Sequence, residues 1–377
     1  MTARALAVAC LSLLAGCDGS SSSINARQAC MAESPPDQGG LESCSAVLLP
    51  QLDRRQGSPD YLICTQASGI NDAGTITGET CDGQGFMWSS AVPAGTLVRP
   101  SFPVPADYVT PMAIDGAGAI VGGFLPAGSF VSEAFVLSGG ELTRLPQLEE
   151  ELGAFALGTN DEGTVVGSSQ TVRGPDSPTV AVYWQDGQIH RIEGVDDLGG
   201  TAGDATAVSG NGIIVGDSNT AQASGIQPFR WTPPDTFEML PTLGEGDVGT
   251  PQDVNDAGVA VGRDGGSIDA AVYWDTDGSI HQLPVLSDSP ESYAVAVAIN
   301  DRGVIVGSEL ASETSGSEAR VWIDGEVHDL QDLVDLPEEY RLTSAVDIND
   351  SDEVVAIASV DDDGPVRRVT FLLRPDL

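Results

Sequence analysis

The phrase Ile-Asn-Asp-x-Gly, then a short apolar run and a second Gly, recurs seven times, and no other feature of the chain restricts its fold so strongly. The plainest copies are Ile70-Asn71-Asp72-Ala73-Gly74-Thr75-Ile76-Thr77-Gly78 and Ile299-Asn300-Asp301-Arg302-Gly303-Val304-Ile305-Val306-Gly307. The first Gly falls at Gly74, Gly118, Gly163, Gly212, Gly258 and Gly303, and Asp352 takes its place in the seventh copy, so the steps are 44, 45, 49, 46, 45 and 49 residues. Units of this length bury their apolar faces by stacking on one another, and four-stranded propeller blades have this period.

Each unit continues with an aromatic-centred strand, at Trp88, Phe135, Trp184, Trp231, Trp274, Trp322 and Phe371. A tight turn follows, then a strand carrying two leucines three apart, as in Leu142/Leu145, Leu240/Leu243, Leu283/Leu286 and Leu330/Leu333. Asn-Asp-x-Gly and Asp-Gly supply the positive φ that short hairpins need, so a unit reads as four strands. Small residues gather in the first strand, as in Ala294-Val295-Ala296-Val297-Ala298, which suits the crowded axis of a ring; the bulky rings fill the wider gaps between blades.

The ends of the chain bear on closure. The seventh unit stops at its third strand, whereas Val47-Leu48-Leu49-Pro50-Gln51-Leu52 is a spare copy of the segment Leu142-Thr143-Arg144-Leu145-Pro146-Gln147-Leu148. Placing it in the last blade removes two open sheet edges. The expected fold is therefore all-β: a seven-bladed β-propeller of four-stranded blades over residues 44–377, closed by the N-terminal strand completing the last blade.

Such a ring sorts its loops. The Asn-Asp-x-Gly turns share one face, and the longer, variable links between blades share the other. Those links are acidic, with Glu149, Glu150, Asp196, Asp197, Glu245, Asp247, Asp288, Glu291, Asp335 and Glu338, and variable loops on a rigid scaffold make this the candidate binding face.

Residues 1–16 have the parts of a secretory signal: Arg4, an apolar run from Ala5 to Leu14, and small residues before a Cys. Leu14-Ala15-Gly16-Cys17 looks like a lipobox, with Cys17 the acylated residue and the membrane a partner through that lipid; an ordinary cleaved signal is the rival reading. Residues 17–43, rich in Ser, Gly, Pro and Gln, read as a tether of about 30 Å root-mean-square span. In an exported setting the remaining cysteines pair: Cys64 with Cys81, which flank the first hairpin symmetrically, and by default Cys30 with Cys44.

A formal net charge of -40, with all 16 basic residues Arg, disfavours nucleic acid as a partner, because phosphate contacts need a basic patch. His190, His281 and His328 recur at one blade position and offer no shared catalytic base. Gly216-Asp217-Ser218 resembles an esterase motif but is a second-strand ending. No cofactor is implied beyond structural Ca2+, which Asp275-Thr276-Asp277-Gly278 and Asp361-Asp362-Asp363-Gly364 leave open; neither runs on into an EF-hand loop, and the metal question stays unanswered at this level.

The phrase Ala-x-x-Ile-Asn-x-x-Gly-x-Ile-Val-Gly, followed by Ala-Phe or Ala-Val-Tyr-Trp, Asp-Gly and Leu-x-x-Leu, resembles the HAF repeat family of extracellular bacterial proteins; Leu198-Gly199-Gly200 is similar to a link common there. Glu133 before Ala134-Phe135 departs from the family's His. The resemblance implies a secreted or surface propeller and no catalytic residue. The functional expectation is a lipid-anchored, non-catalytic binding or scaffold module of the cell envelope, periplasmic or surface-exposed, with an unidentified protein or glycan as partner. A propeller enzyme acting on polysaccharide and a purely structural surface protein are the alternatives. Acids converging on one mouth of the axial channel would favour an enzyme or cation site.

Overall fold

The computed structural model describes residues 44–49, 65–80, 83–89, 106–149, 152–171, 179–192, 195, 202–219, 226–244, 248–265, 269–289, 292–311, 316–360 and 367–375. It is a seven-bladed propeller. Seven antiparallel sheets follow one another, six of them four-stranded among the described residues and the first three-stranded. Their innermost strands are Thr65–Ile70, Ala106–Ile114, Ala154–Thr159, Gly203–Val208, Val248–Val254, Tyr293–Ile299 and Tyr340–Ile348. Each touches the next, and the seventh touches the first, so the ring is closed.

Closure uses the N-terminal strand, as expected. Cys44–Leu48 pairs antiparallel with Arg367–Pro375, with Val47 opposite Leu372, and completes the order Cys44–Leu48, Arg367–Pro375, Val354–Val360, Tyr340–Ile348. The strand begins three residues before Val47, and Leu49 continues it with an N–H to the Thr370 carbonyl at 2.9 Å. Leu49 is buried among Ile70, Ile76, Phe86 and Trp88 of blade one and Leu372 of blade seven. Burying a leucine contributes about 1.5–3 kcal/mol, so this residue helps weld the two ends of the ring.

The motif owes its two glycines to two separate constraints. The first Gly has positive φ in all six copies, from 69° to 86°, and Asp352 adopts 57° in the seventh. The second Gly stands where every inner strand bulges: a Cβ at Gly78, Gly122, Gly167, Gly216, Gly262 or Gly307 would lie 2.0–2.2 Å from an inner-strand carbonyl oxygen. The extra residue of each bulge bends the inner strand around the axis.

Two alignments differ from the sequence reading. Trp88, Trp184, Trp231, Trp274 and Trp322 occupy one register position, but Phe135 and Phe371 sit two residues earlier, opposite Gly122 and Ala356, in the position of Phe86 and Phe229. Leu137 and Leu373 hold the Trp position in blades two and seven. Both places point into the same gap between blades, so hydrophobicity alone cannot separate them. The paired leucines likewise fall mostly outside strands; of those named, Leu142 alone lies in one, Glu141–Arg144. Outer strands such as Thr236–Met239 and Ile280–Gln282 end before them, and Leu330–Leu333 is a single 3-10 turn. Leu145, Leu240, Leu283 and Leu330 are equivalent, and Leu240, Leu283 and Leu330 plug the core at 2%, 3% and 0% exposure, while Leu243 and Leu286 face solvent.

The carbonyl of the proline after that plug accepts a hydrogen bond from the next blade's tryptophan. Trp184 Nε1 donates to Pro146, Trp274 Nε1 to Pro241 and Trp322 Nε1 to Pro284, each at 2.8 Å. One hydrophobic cluster fills each blade junction, so the core is distributed around the ring.

Candidate functional site

On the turn face the repeated Asn and Asp do more than shape hairpins. Asn71, Asn160, Asn255, Asn300 and Asn349 are buried, and each Oδ1 accepts the N–H four residues on, at 2.9–3.0 Å. Each Nδ2 then donates across the junction: Asn71 to the Asp115 carbonyl, Asn160 to Ser209, Asn255 to Asn300, Asn300 to Asn349, and Asn349 to Asn71, at 2.7–3.2 Å. The neighbouring carboxylates reach the opposite way. Asp161, Asp256, Asp301, Asp350 and Asp72 accept the backbone N–H of Gly116, Asn211, Asp256, Asp301 and Asp350 at 2.6–3.1 Å.

These five aspartates, together with Asp115, line a funnel of about 280 Å3 at the turn-face mouth of the axis. Burial, then Asp301, Asp72 and Asp256, raise the pKa of Asp350, as like charges at one mouth must. Each of the five is nonetheless an acceptor between blades. Among the described residues no group of three or more His, Cys, Asp or Glu is arranged to hold a metal ion. The acidic mouth is therefore accounted for as the seam of the ring.

Deeper in, a channel of about 320 Å3 is lined by the bulge residues, including Ser68, Met112, Gln252, Asp253 and Asp347. Asp253 accepts the N–H groups of Val254 and Ile299, and Asp347 those of Ile348 and Ile70, all at 2.8 Å. Both are half-buried and line the channel. Burial raises Asp253 to about 6, and burial followed by the Asp253 charge raises Asp347 to about 7, against the pull of those N–H groups. Sequence reasoning missed both, because only the bulge turns them towards the axis.

The loop face is different. Of the ten acids expected to mark it, Glu149, Asp288, Asp335 and Glu338 are described, and all four are exposed, in three links, Asp335 and Glu338 sharing one; Glu150, Asp196, Asp197, Glu245, Asp247 and Glu291 lie outside the described residues. Among the described residues, the same face carries most of the exposed large apolar side chains. Tyr108, Phe130, Ile226, Leu243, Val285, Leu286 and Tyr293 all sit at loop-face strand ends or in loop-face links, with Phe130 at 102% and Tyr108 at 59% exposure. The other two exposed large apolar residues among those described, Leu48 and Met239, belong to outermost strands.

The histidines fall in outer strands of three blades. His190 stacks on Tyr183 at 4.8 Å and His281 on Tyr273 at 4.7 Å, while His328 pairs opposite Val321. Asp275-Thr276-Asp277-Gly278 is a hairpin turn, with the Gly278 N–H on the Asp275 carbonyl at 3.0 Å and Asp277 accepting the Ser279 N–H at 2.9 Å; residues 361–364 lie outside the described set. Asp217 faces Asp204 directly across paired strands. Cys44 is fully buried, Thr65 pairs with Thr80 beside the first hairpin, and Cys17, Cys30, Cys64 and Cys81 lie outside the described residues.

No family model and no curated protein matches the chain. Solved structures do. A streptogramin B lyase aligns at 12% identity with a TM-score of 0.50, over 90% of this chain and 100% of that one. A puromycin-hydrolyzing peptidase from Mycobacterium tuberculosis aligns at 13% identity and the same TM-score, over 81% of this chain and 51% of that one. At such identities the likeness is one of fold alone.

Proposed function

We propose that the chain is an exported, non-catalytic binding or scaffold propeller that engages a protein partner through its loop face. The segregation of exposed apolar side chains carries this reading: Phe130, Tyr108, Leu286, Val285 and their neighbours share one face with the exposed acids Glu149, Asp288, Asp335 and Glu338. Exposed apolar side chains gathered on one face among charged ones support an interaction role for that face. The partner it suits has apolar contacts set in a basic surround, which the net charge of -40 also attracts.

The opposite face supports the division of labour, since its aspartates and asparagines are engaged in holding blades together. The HAF-type repeat phrases and the lipobox at Cys17 support an envelope address; loss of metabolic acyl labelling in Cys17→Ser is the check on the anchor. Catalysis is tested by incubating the full chain with bacterial polysaccharides, with and without calcium, and following product release by chromatography. Release of oligosaccharide from any of them contradicts the non-catalytic reading.

A further inference from the structure

The turn face holds one cavity that the seam does not account for. It lies between blades three and four, has a volume of about 560 Å3, and is lined by Glu162, Tyr183, Gln185, Asn211, Trp231 and Pro233 among others. The motif itself is interrupted here. Blade four reads Ser209-Gly210-Asn211, and Gly210 has no carboxylate to reach back to the Asp161 N–H as Asp301 and Asp350 do for their neighbours. A single motif-derived bond, from Asn160 Nδ2 to the Ser209 carbonyl, holds the turns together.

We propose that this cleft binds neutral carbohydrate, as a short hexose oligomer. Its floor is apolar: Tyr183 and Trp231 line it, stacked at 5.6 Å between centroids, with Trp231 buried and Pro233 and Pro234 beside them, while His190 backs Tyr183 at 4.8 Å. Its rim is polar, with Glu162, Gln185 and Asn211 exposed. That combination suits a ligand with C–H faces and several hydroxyls, and the volume is within the roughly 300–1,000 Å3 of small-ligand sites. The described lining has no basic side chain, so phosphate and carboxylate ligands are disfavoured.

The test is calorimetric titration of the full chain with cellohexaose, maltohexaose and chitohexaose, and with an oligogalacturonide as the anionic counterpart. Glu162→Trp and Gln185→Trp fill the cleft from exposed positions, and an unchanged melting temperature in each shows that the fold is kept. At least one neutral hexamer should bind, with affinity at least tenfold weaker in both fillers, and the oligogalacturonide should not. Phe130→Ser on the loop face should leave the sugar affinity unchanged, which separates this site from the protein-binding face: loss of one leaves the other standing. No binding of any neutral hexamer, or full affinity in both filled variants, overturns the proposal.

Discussion

Asp217→Asn should stabilise this protein at neutral pH and do almost nothing in acid. Asp217 lies directly opposite Asp204 on the paired strands Gly203–Val208 and Ile214–Asn219. Burial first, then the Asp204 charge, raise its pKa from 3.8 to about 7, against the milder pull of Arg263. A raised carboxyl pKa means that the folded state keeps a proton the unfolded chain has released. Stability is therefore lost as pH climbs from about 4 to about 7, and the loss is complete above that. At 1.36 kcal/mol per pH unit the ceiling is about 4 kcal/mol. A ring of about 330 residues unfolds with an entropy of about 0.7 kcal/mol/K, so that ceiling corresponds to about 6 °C. Asn keeps the shape and removes the charge. Calorimetric melting at pH 8 should show a gain of about 3–6 °C, shrinking to under about 1 °C at pH 4. An equal gain at both pH values, or a loss at pH 8, would refute the argument from cross-strand repulsion.

Other expectations follow from the same structure. Asp253 and Asp347, raised to about 6 and about 7, add to the same slope, so the native protein should melt higher at pH 5 than at pH 8; a flat or rising curve would contradict their protonation in the channel. Leu49→Ala should cost about 2–5 kcal/mol in denaturant unfolding, and Leu48→Ala, 37% exposed, far less; equal small effects would mean that the ends of the ring are not welded there. Peptide mapping without reductant should recover Cys64 linked to Cys81, and free thiols at both would remove that pairing from the account.

Much of the fold was legible because it repeats. The Gly spacing fixed the blade count, and the stray leucine strand at residues 47–52 pointed to closure. Where two residues satisfy the same requirement, legibility stopped. Phe135 and Phe371 fill the same inter-blade gap as tryptophans two positions later, and Leu240 and Leu283 plug the core from beyond a strand's end, so composition could not tell register from neighbourhood. The Asn-Asp pair read as a turn because its long-range partners, such as Asn71 for Asn349 Nδ2, lie in the next blade of a closed circle. The candidate sites were less legible. Acids were visible in the links, but the apolar residues beside them, Phe130 and Leu286 among them, carry no motif. The cleft beside Tyr183 and Trp231 lies where Gly210 takes the place of the motif's Asp, which only the neighbouring copies reveal as missing.

In the proposed division of roles, one face of the ring seals and the other binds. Photo-crosslinking amino acids placed at Phe130 and Leu286 on the loop face, and at Asp301 and Asp350 on the turn face, test it in the native host. Protein adducts of one discrete mass at the loop-face positions, with none at the turn-face pair, are the predicted result. Adducts confined to Asp301 and Asp350, or spread equally over all four positions, would contradict it.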